Sequence, residues 1–329
     1  MPGHVALVGP TASGKSALAL GLARSRPGIE IVSVDSMSVY RGMDVGTAKP
    51  PPAARAEVPH HLVDLADPSE EFTVRRFQAE ARSAITGIEA RGRRALLVGG
   101  TGLYLRAVVD DLELPGRYPE VAATLEAEAD GPGGLASLFE RLVALDPVAA
   151  GRTTPSNRRR IVRALEVTIG SGRLFSSFGP GLEAYPPADV VLVGIPFVAE
   201  IHDPRIEARF RELVAAGLVD EVRALAARPG GMSRTARQAL GYREVLAHLE
   251  DGVPLGEALE EAVRRTKAFA RRQRAWFRRD PRIRWLDPRG DLPAQLAAAW
   301  DEPGAPPGGG AGGRCGHAVA GAVGDLRHG

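Results

Sequence analysis

The chain has a single cysteine, Cys315, in 329 residues. Intramolecular disulfides and cysteine-based zinc sites are therefore excluded, which agrees with a reducing compartment, and any metal has to be held by oxygen. Apolar runs approaching the roughly 20 residues that span a bilayer are missing. No positively charged, apolar leader precedes the first motif. These absences lead us to expect a cytoplasmic protein with no membrane partner. Lysine is also scarce: of 42 basic residues only Lys15, Lys49 and Lys267 are lysine. If arginine has replaced lysine wherever it serves, the survivors mark places where a compact ammonium matters. A net charge of +2 gives no sign of a nucleic-acid partner, but a binding footprint is local and an average hides it.

What is present is ample for a globular core, at 44% hydrophobic residues. His4 to Val8 is a short apolar run that ends in a glycine-rich turn, and Ala17 to Ala23 continues with helical spacing. Ile29 to Val34 and Arg94 to Val98 read as further strands, with an amphipathic helix over Phe72 to Ala90 between them. Alternating strands and helices predict an α/β fold, a P-loop-type parallel sheet flanked by helices, whose ligands gather at the carboxyl ends of the strands. From about Glu113 to Pro187 the pattern changes to helices broken by Pro and Gly, an all-helical insertion. Val190 to Ile195 returns as a strand. Helices are expected at Pro204 to Ala216, Leu218 to Ala227, Arg234 to Glu250 and Leu255 to Arg279. The domain plan is a catalytic core of residues 1–112 and 188–293, an insertion of 113–187, and a disordered Gly/Pro-rich tail over 294–329.

Gly9, Pro10, Thr11, Ala12, Ser13, Gly14, Lys15 and Ser16 fit G-x4-G-K-[ST] between a predicted strand and a predicted helix. Backbone amides and the helix N-terminus there face an anion, Lys15 adds a point charge, and the Ser16 hydroxyl can ligate Mg²⁺. A nucleotide-hydrolysing enzyme of this class would end a nearby apolar strand in a metal-holding aspartate. Here Ala95 to Val98 runs instead into Gly99-Gly100-Thr101-Gly102. Glycines there either let the backbone approach a ligand, with Thr101 as a hydroxyl donor, or make a plain strand-to-helix turn.

The second strand delivers Asp35 to the same edge, followed by Ser36, Met37 and Ser38. An aspartate in that place can position Mg²⁺ or take a proton from a nucleophile, and can equally be a helix N-cap. His60-His61 invites a metal reading. Adjacent residues rarely converge on one ion, so a structural or polar-loop role is expected.

GPTASGKS, DSMSVYRGMDVGTAKP, PHHLVDL and VGGTGLYLRA stand in that order, followed by RRRIVRALEV, RIEAR, GLVDEV, QALGYR and RRQRAWFR. Together, over roughly residues 4 to 285, they resemble the tRNA dimethylallyltransferase family, also called tRNA isopentenyltransferases. The resemblance implies transfer of a dimethylallyl group from dimethylallyl diphosphate to N6 of adenosine 37, beside the tRNA anticodon. It implies Asp35 as general base, and Lys15, Thr101 and Arg209 as groups that stabilise the leaving diphosphate, with Ser16 and Mg²⁺ assisting. Arg209 rather than Arg205 matches the motif. Such chemistry needs cations and donors where negative charge develops, and needs no aspartate for activating water.

The segment from Arg264 to Arg279 holds eight basic residues and no acidic one. It reads as a helix tracking a phosphate backbone, or as a solvated face with Phe269, Trp276 and Phe277 in the core. Arg159, Arg160 and Arg163 form a second basic cluster in the insertion. The resemblance implies tRNA contacts, in the anticodon stem-loop, at Asp35, Ser36, Met37, Ser38, Arg159, Arg160, Arg163, Arg237, Gln238, Gly241, Tyr242, Arg243, Arg271, Arg272, Gln273 and Arg278. Members of the family commonly carry glutamine where this chain has Ser38. One chain supplies every implied group, so a monomer is expected. Rival readings are a P-loop small-molecule kinase, a noncatalytic RNA-binding protein with a nucleotide switch, and a prenyltransferase acting on free adenine nucleotides.

Overall fold

The computed structural model describes residues 3–179 and 181–302. The first half runs β1 (His4–Val8), α1 (Lys15–Ser25), β2 (Ile29–Val34), α2 (Pro52–Glu57), β3 (His60–His61), α3 (Val74–Ala90), β4 (Arg94–Gly99) and α4 (Gly102–Val109). Four helices follow without a strand: α5 (Pro119–Asp130), α6 (Gly134–Leu145), α7 (Pro147–Gly151) and α8 (Arg158–Ser171). The chain then returns through β5 (Val190–Gly194), α9 (Ala199–Ala215), α10 (Leu218–Ala226), α11 (Arg234–Arg237) and α12 (Tyr242–Asp251). It ends its described part with α13 (Leu255–Phe277), β6 (Arg284–Trp285) and α14 (Leu292–Asp301).

The six strands form one parallel sheet in the order β3-β2-β4-β1-β5-β6. Side chains alternate across a strand, and β1 feeds both layers. Val5 and Leu7 pack with Leu22 of α1 and with Leu296 and Trp300 of α14. Ala6 and Val8 join Phe77 of α3, Ile206 of α9 and Ala270 of α13 on the other face. The parallel arrangement buries both faces, which explains why the strands read as continuous apolar runs. α5 to α8 close over their own core of Leu125, Leu138, Leu142, Ile161 and Leu165. Arg106 of α4 holds the exit of that segment, donating to the carbonyls of Leu182 and Ala184, and Arg282 donates to the carbonyl of Pro186.

Three expectations are corrected. The tail was expected to lose order from residue 294, yet α14 occupies 292–301 and buries Leu296 and Trp300 against the sheet. Asp291 caps it by accepting from the amide of Ala294, and Pro293 stands in its first turn, where a proline is tolerated. The rest of that tail, 303–329, lies outside the described residues. The helix expected over Arg234 to Glu250 is two helices, because Gly241 between them takes φ 88°. The α9 helix starts at Ala199, five residues ahead of the expectation, and carries Pro204 inside it.

Between β2 and β3 the chain is held by Lys49. Its side chain is 1% exposed, and its ammonium donates to the Tyr40 carbonyl at 2.7 Å, Asp44 at 2.6 Å and Asp64 at 2.7 Å. Burial alone would raise the Asp64 carboxyl, but hydrogen bonds from Lys49 and Arg55 outweigh it and hold the group below its usual range. His61 bonds the buried Glu30, which also accepts from Arg91 and Arg93, so the histidine pair serves the sheet edge. Among the described residues no group of three or more His, Cys, Asp or Glu has the spacing of a metal site.

Candidate active site

Four strand ends build the site. After β1, Ala12 (φ 59°) and Gly14 (φ 81°) both enter the left-handed region, which curls the backbone into a concave row of amides leading into α1. Lys15 opens that helix and donates to the carbonyl of Pro10 at 3.1 Å. Burial lowers its pKa to about 8; Asp35 opposes the shift and Arg209 adds to it. Lys15, Asp35 and Arg209 therefore sense one another across a single site. Ser16 is exposed on the first turn of α1.

Asp35 follows β2. One carboxylate oxygen accepts from the amides of Met37 at 2.8 Å and Ser38 at 3.3 Å, an Asx turn that fixes the side chain and leaves Oδ2 without a hydrogen bond among the described residues. Thr101 follows β4, and its hydroxyl accepts from the Ser36 amide at 3.3 Å, joining the third strand end to the second. Arg209 reaches in from α9. Burial lowers its pKa, and Asp35 works against that shift. Arg205, four residues earlier, is exposed. Of the two arginines only Arg209 faces the cluster of Lys15 and Asp35. The carboxyl end of β5 completes the rim: the Ile195 amide donates to the Val8 carbonyl at 2.9 Å.

The glycines after β4 have a further use beside the two expected. They admit side chains of α13, because a Cβ on Gly100 would overlap the Gln273 amide and one on Gly102 the indole of Trp276. Gln273 was expected at an RNA surface, but it is 6% exposed. It accepts from the Thr11 amide at 2.9 Å and donates to the Gly100 carbonyl at 2.9 Å, stapling the phosphate loop to the β4 turn. Tyr242 is likewise withdrawn: it is fully buried, its ring packs on Gly46, and its hydroxyl donates to Glu221 at 2.5 Å. Glu221 also takes the amides of Asp44, Val45 and Gly46, so Tyr242 braces the loop that Lys49 clamps. Gly241 is buried beside it as the turn before α12. Arg163 turns inward to the carbonyls of Pro115 and Gly116 and to Glu166. Ser38 is 6% exposed.

Of the other expected RNA contacts, Asp35, Ser36 and Met37 are half-buried at the end of β2, and the rest lie on the insertion and near α11 to α13. Arg159 and Arg160 are exposed at the start of α8, Arg237 pairs with Glu250, and Arg243 donates to Gln238. Half of the basic run on α13 is paired within the protein: Arg264 with Glu261, Arg265 with Glu244, Lys267 with Glu207 and Arg271 with Asp203. Arg272, Arg274, Arg278 and Arg279 are exposed and make no ion pair among the described residues. Arg271, Arg274 and Arg278 line a cleft floored by Phe197, Ala199 and Ala275. Tyr104 was missed by the sequence reading. It packs on Phe77 at 4.5 Å between ring centroids, and burial, Tyr40 and Asp35 together push its phenol up.

A model of the family described as IPP transferase matches residues 38–280. The chain is 51% identical over 300 residues to the tRNA dimethylallyltransferase of Kineococcus radiotolerans, covering 89% of this chain and 93% of that protein. It is 50% identical over 288 residues to the protein of the same name from Streptomyces coelicolor, covering 87% and 90%. Its structure resembles the full-length tRNA isopentenylpyrophosphate transferase of Bacillus halodurans, with TM-score 0.65, 36% identity and coverage of 92% and 97%. It also resembles a eukaryotic dimethylallyltransferase acting on tRNA, with TM-score 0.71, 26% identity and coverage of 87% and 73%. Sharing their architecture along most of its length, and about half its residues with the bacterial proteins, the chain belongs to the IPP transferase family.

Proposed function

We propose that this protein transfers the dimethylallyl group of dimethylallyl diphosphate to N6 of adenosine 37, next to the tRNA anticodon, and releases diphosphate. One observation carries the reading: the phosphate loop, with Lys15 and Arg209 as cations, shares its site with a fixed carboxylate, Asp35, that has a free oxygen. The allylic C1–O bond breaks toward the phosphate loop, where Lys15, Arg209, the loop amides and the Thr101 hydroxyl receive the negative charge that develops on the leaving oxygens. The N6–C1 bond forms on the opposite side. Oδ2 of Asp35 takes the N6 proton, while the Asx turn on Oδ1 keeps the carboxylate from rotating away. Holding both reactants in line supplies much of the rate, since the adenine amine is a weak nucleophile.

Mg²⁺ suits this donor set. The ion usually keeps several waters and binds through one or two protein oxygens plus substrate phosphates, and Ser16 offers an exposed hydroxyl beside Lys15. Bound there, it would neutralise diphosphate charge. The adenosine has to leave its stack to reach Asp35. Arg159 and Arg160 on the helical insertion of 113–187, with Arg272, Arg274 and Arg278 on α13, grip the anticodon stem through its phosphates, and a single chain is sufficient. Among the described residues no helix is long and apolar enough to cross a membrane.

The test is incubation with Mg²⁺, labelled dimethylallyl diphosphate and tRNA lacking the modification, beside AMP and ATP controls. Label entering tRNA at adenosine 37 is the expected result. Label entering AMP alone, or phosphate transfer from ATP, overturns the reading.

A further inference from the structure

A second nitrogen base stands on the stripe of α9 that carries Arg209. His202 lies two turns before Arg209, with the fully buried Ile206 between them, so the three share one face of the helix. The imidazole is 1% exposed. Its Nδ1 lies 2.8 Å from the Val198 carbonyl oxygen and 3.2 Å from the Val198 amide, so that nitrogen is satisfied in either tautomer. Phe197 packs on the ring with centroids 5.1 Å apart. Nε2 is buried and has no hydrogen-bond partner. A buried polar atom left unpaired calls for an explanation, and a missing ligand supplies one.

The charged groups nearest the ring include two cations, Arg205 and Lys15, and one carboxylate, Asp203. Burial depresses the basicity of His202, and Arg205 on its own helix and Lys15 of the phosphate loop depress it further, against the Val198 hydrogen bond and Asp203. The loop that carries Phe197 and Val198 abuts the phosphate loop. A Cβ on Gly9 would come within 3.3 Å of Ile195 and 3.1 Å of the Ser13 hydroxyl. That hydroxyl is buried and unpaired as well. A cation and two unsatisfied polar groups thus border the same loop.

We infer that His202 Nε2 is a contact for the diphosphate, donating a hydrogen bond to a non-bridging phosphate oxygen while Nδ1 accepts from the Val198 amide. The inference rests on the diphosphate reading of the site. It adds a binding residue to Lys15, Thr101 and Arg209, and it explains the shape of the β5–α9 turn, in which Phe197 and Val198 aim the ring.

The probe is inorganic pyrophosphate with Mg²⁺, titrated calorimetrically into the full chain. His202→Phe, which fills the space without a donor, is expected to weaken binding about tenfold or more, as loss of a charge-assisted hydrogen bond does, with tRNA affinity within twofold of wild type. His202→Gln keeps a donor and is expected to recover part of the loss. In steady state the KM for dimethylallyl diphosphate should rise while kcat changes less. Nitrogen-15 spectra of histidine-labelled wild type, assigned with the Gln variant, should show the Nε2 resonance of His202 moving on saturation with pyrophosphate, which decides the matter even if the Phe variant does not fold. Unchanged affinity in His202→Phe, or an unmoved resonance, overturns the inference provided pyrophosphate binds wild type and Lys15→Met abolishes that binding. If wild type binds no pyrophosphate at all, the diphosphate reading falls and this inference falls with it.

Discussion

Lys15→Met should stabilise the unliganded protein while removing its function. The ammonium is held at about 8 against an ordinary 10.5, because burial penalises the charge and Arg209 adds to that penalty, together outweighing the attraction of Asp35. At about 1.4 kcal/mol per tenfold change in proton affinity, that gap amounts to roughly 3.5 kcal/mol at most. Part of the side chain meets solvent, so about 1 to 2 kcal/mol is the expected gain. The sign follows from linkage: a cation whose folded pKa lies below its unfolded value costs stability wherever both states are protonated. The cost is full below pH 8, shrinks between 8 and 10.5, and is gone above that range. Urea unfolding followed by circular dichroism should therefore find the variant more stable at pH 7, with the difference mostly closed by about pH 10. Saturating pyrophosphate should reverse the order, since a ligand at a hundred times its Kd adds about 2.7 kcal/mol to the protein that binds it. A variant no more stable than wild type at pH 7, or a difference that grows with pH, refutes the reasoning.

Three other substitutions address the remaining groups. Asp35→Asn keeps an oxygen for the amides of Met37 and Ser38, so the turn should survive. Single-turnover assays should find the chemical step slowed about 10²- to 10⁴-fold, with tRNA affinity changed by no more than a few fold. Lys49→Arg places a planar fork where one compact ammonium meets three acceptors. A loss of about 2 to 4 kcal/mol is expected in urea unfolding. Changing Arg272, Arg274 and Arg278 together to Ala should lower the slope of log affinity for tRNA against log salt by about 2. Arg264→Ala, which removes a side chain already paired with Glu261, should leave the slope nearly unaltered.

Much of the sheet was legible because its strands are buried on both sides: β1 and β2 have the bounds that their apolar runs predicted, and the phosphate loop lies between strand and helix as the spacing required. Asp35 and Thr101 were legible for the same reason, since each directly follows a strand. Helix α13 was not. Arginine occurs all round it, so composition could not say which positions face inward, and Gln273 read as one more polar surface residue. Its burial is set by Gly100, some 170 positions away. Tyr242 was hidden similarly, because its partners Gly46 and Glu221 belong to distant loops. His202 left a signal that went unused: it stands seven residues before Arg209, on the same helical stripe.

The Gln273 staple has a thermodynamic corollary. Its two hydrogen bonds tie the helix whose exposed sides carry Arg272 and Arg274, and whose C-cap is Arg278, to the amide of Thr11 inside the phosphate loop. Any tilt of α13 under a pull on its exposed sides would be delivered to the loop proposed to hold the diphosphate. Were α13 to tilt in this way, the two proposed occupants would not bind independently. By reciprocity, whatever one does to the affinity of the other is returned in equal measure, so the order in which the substrates arrive changes the path and leaves the energy of the filled complex the same.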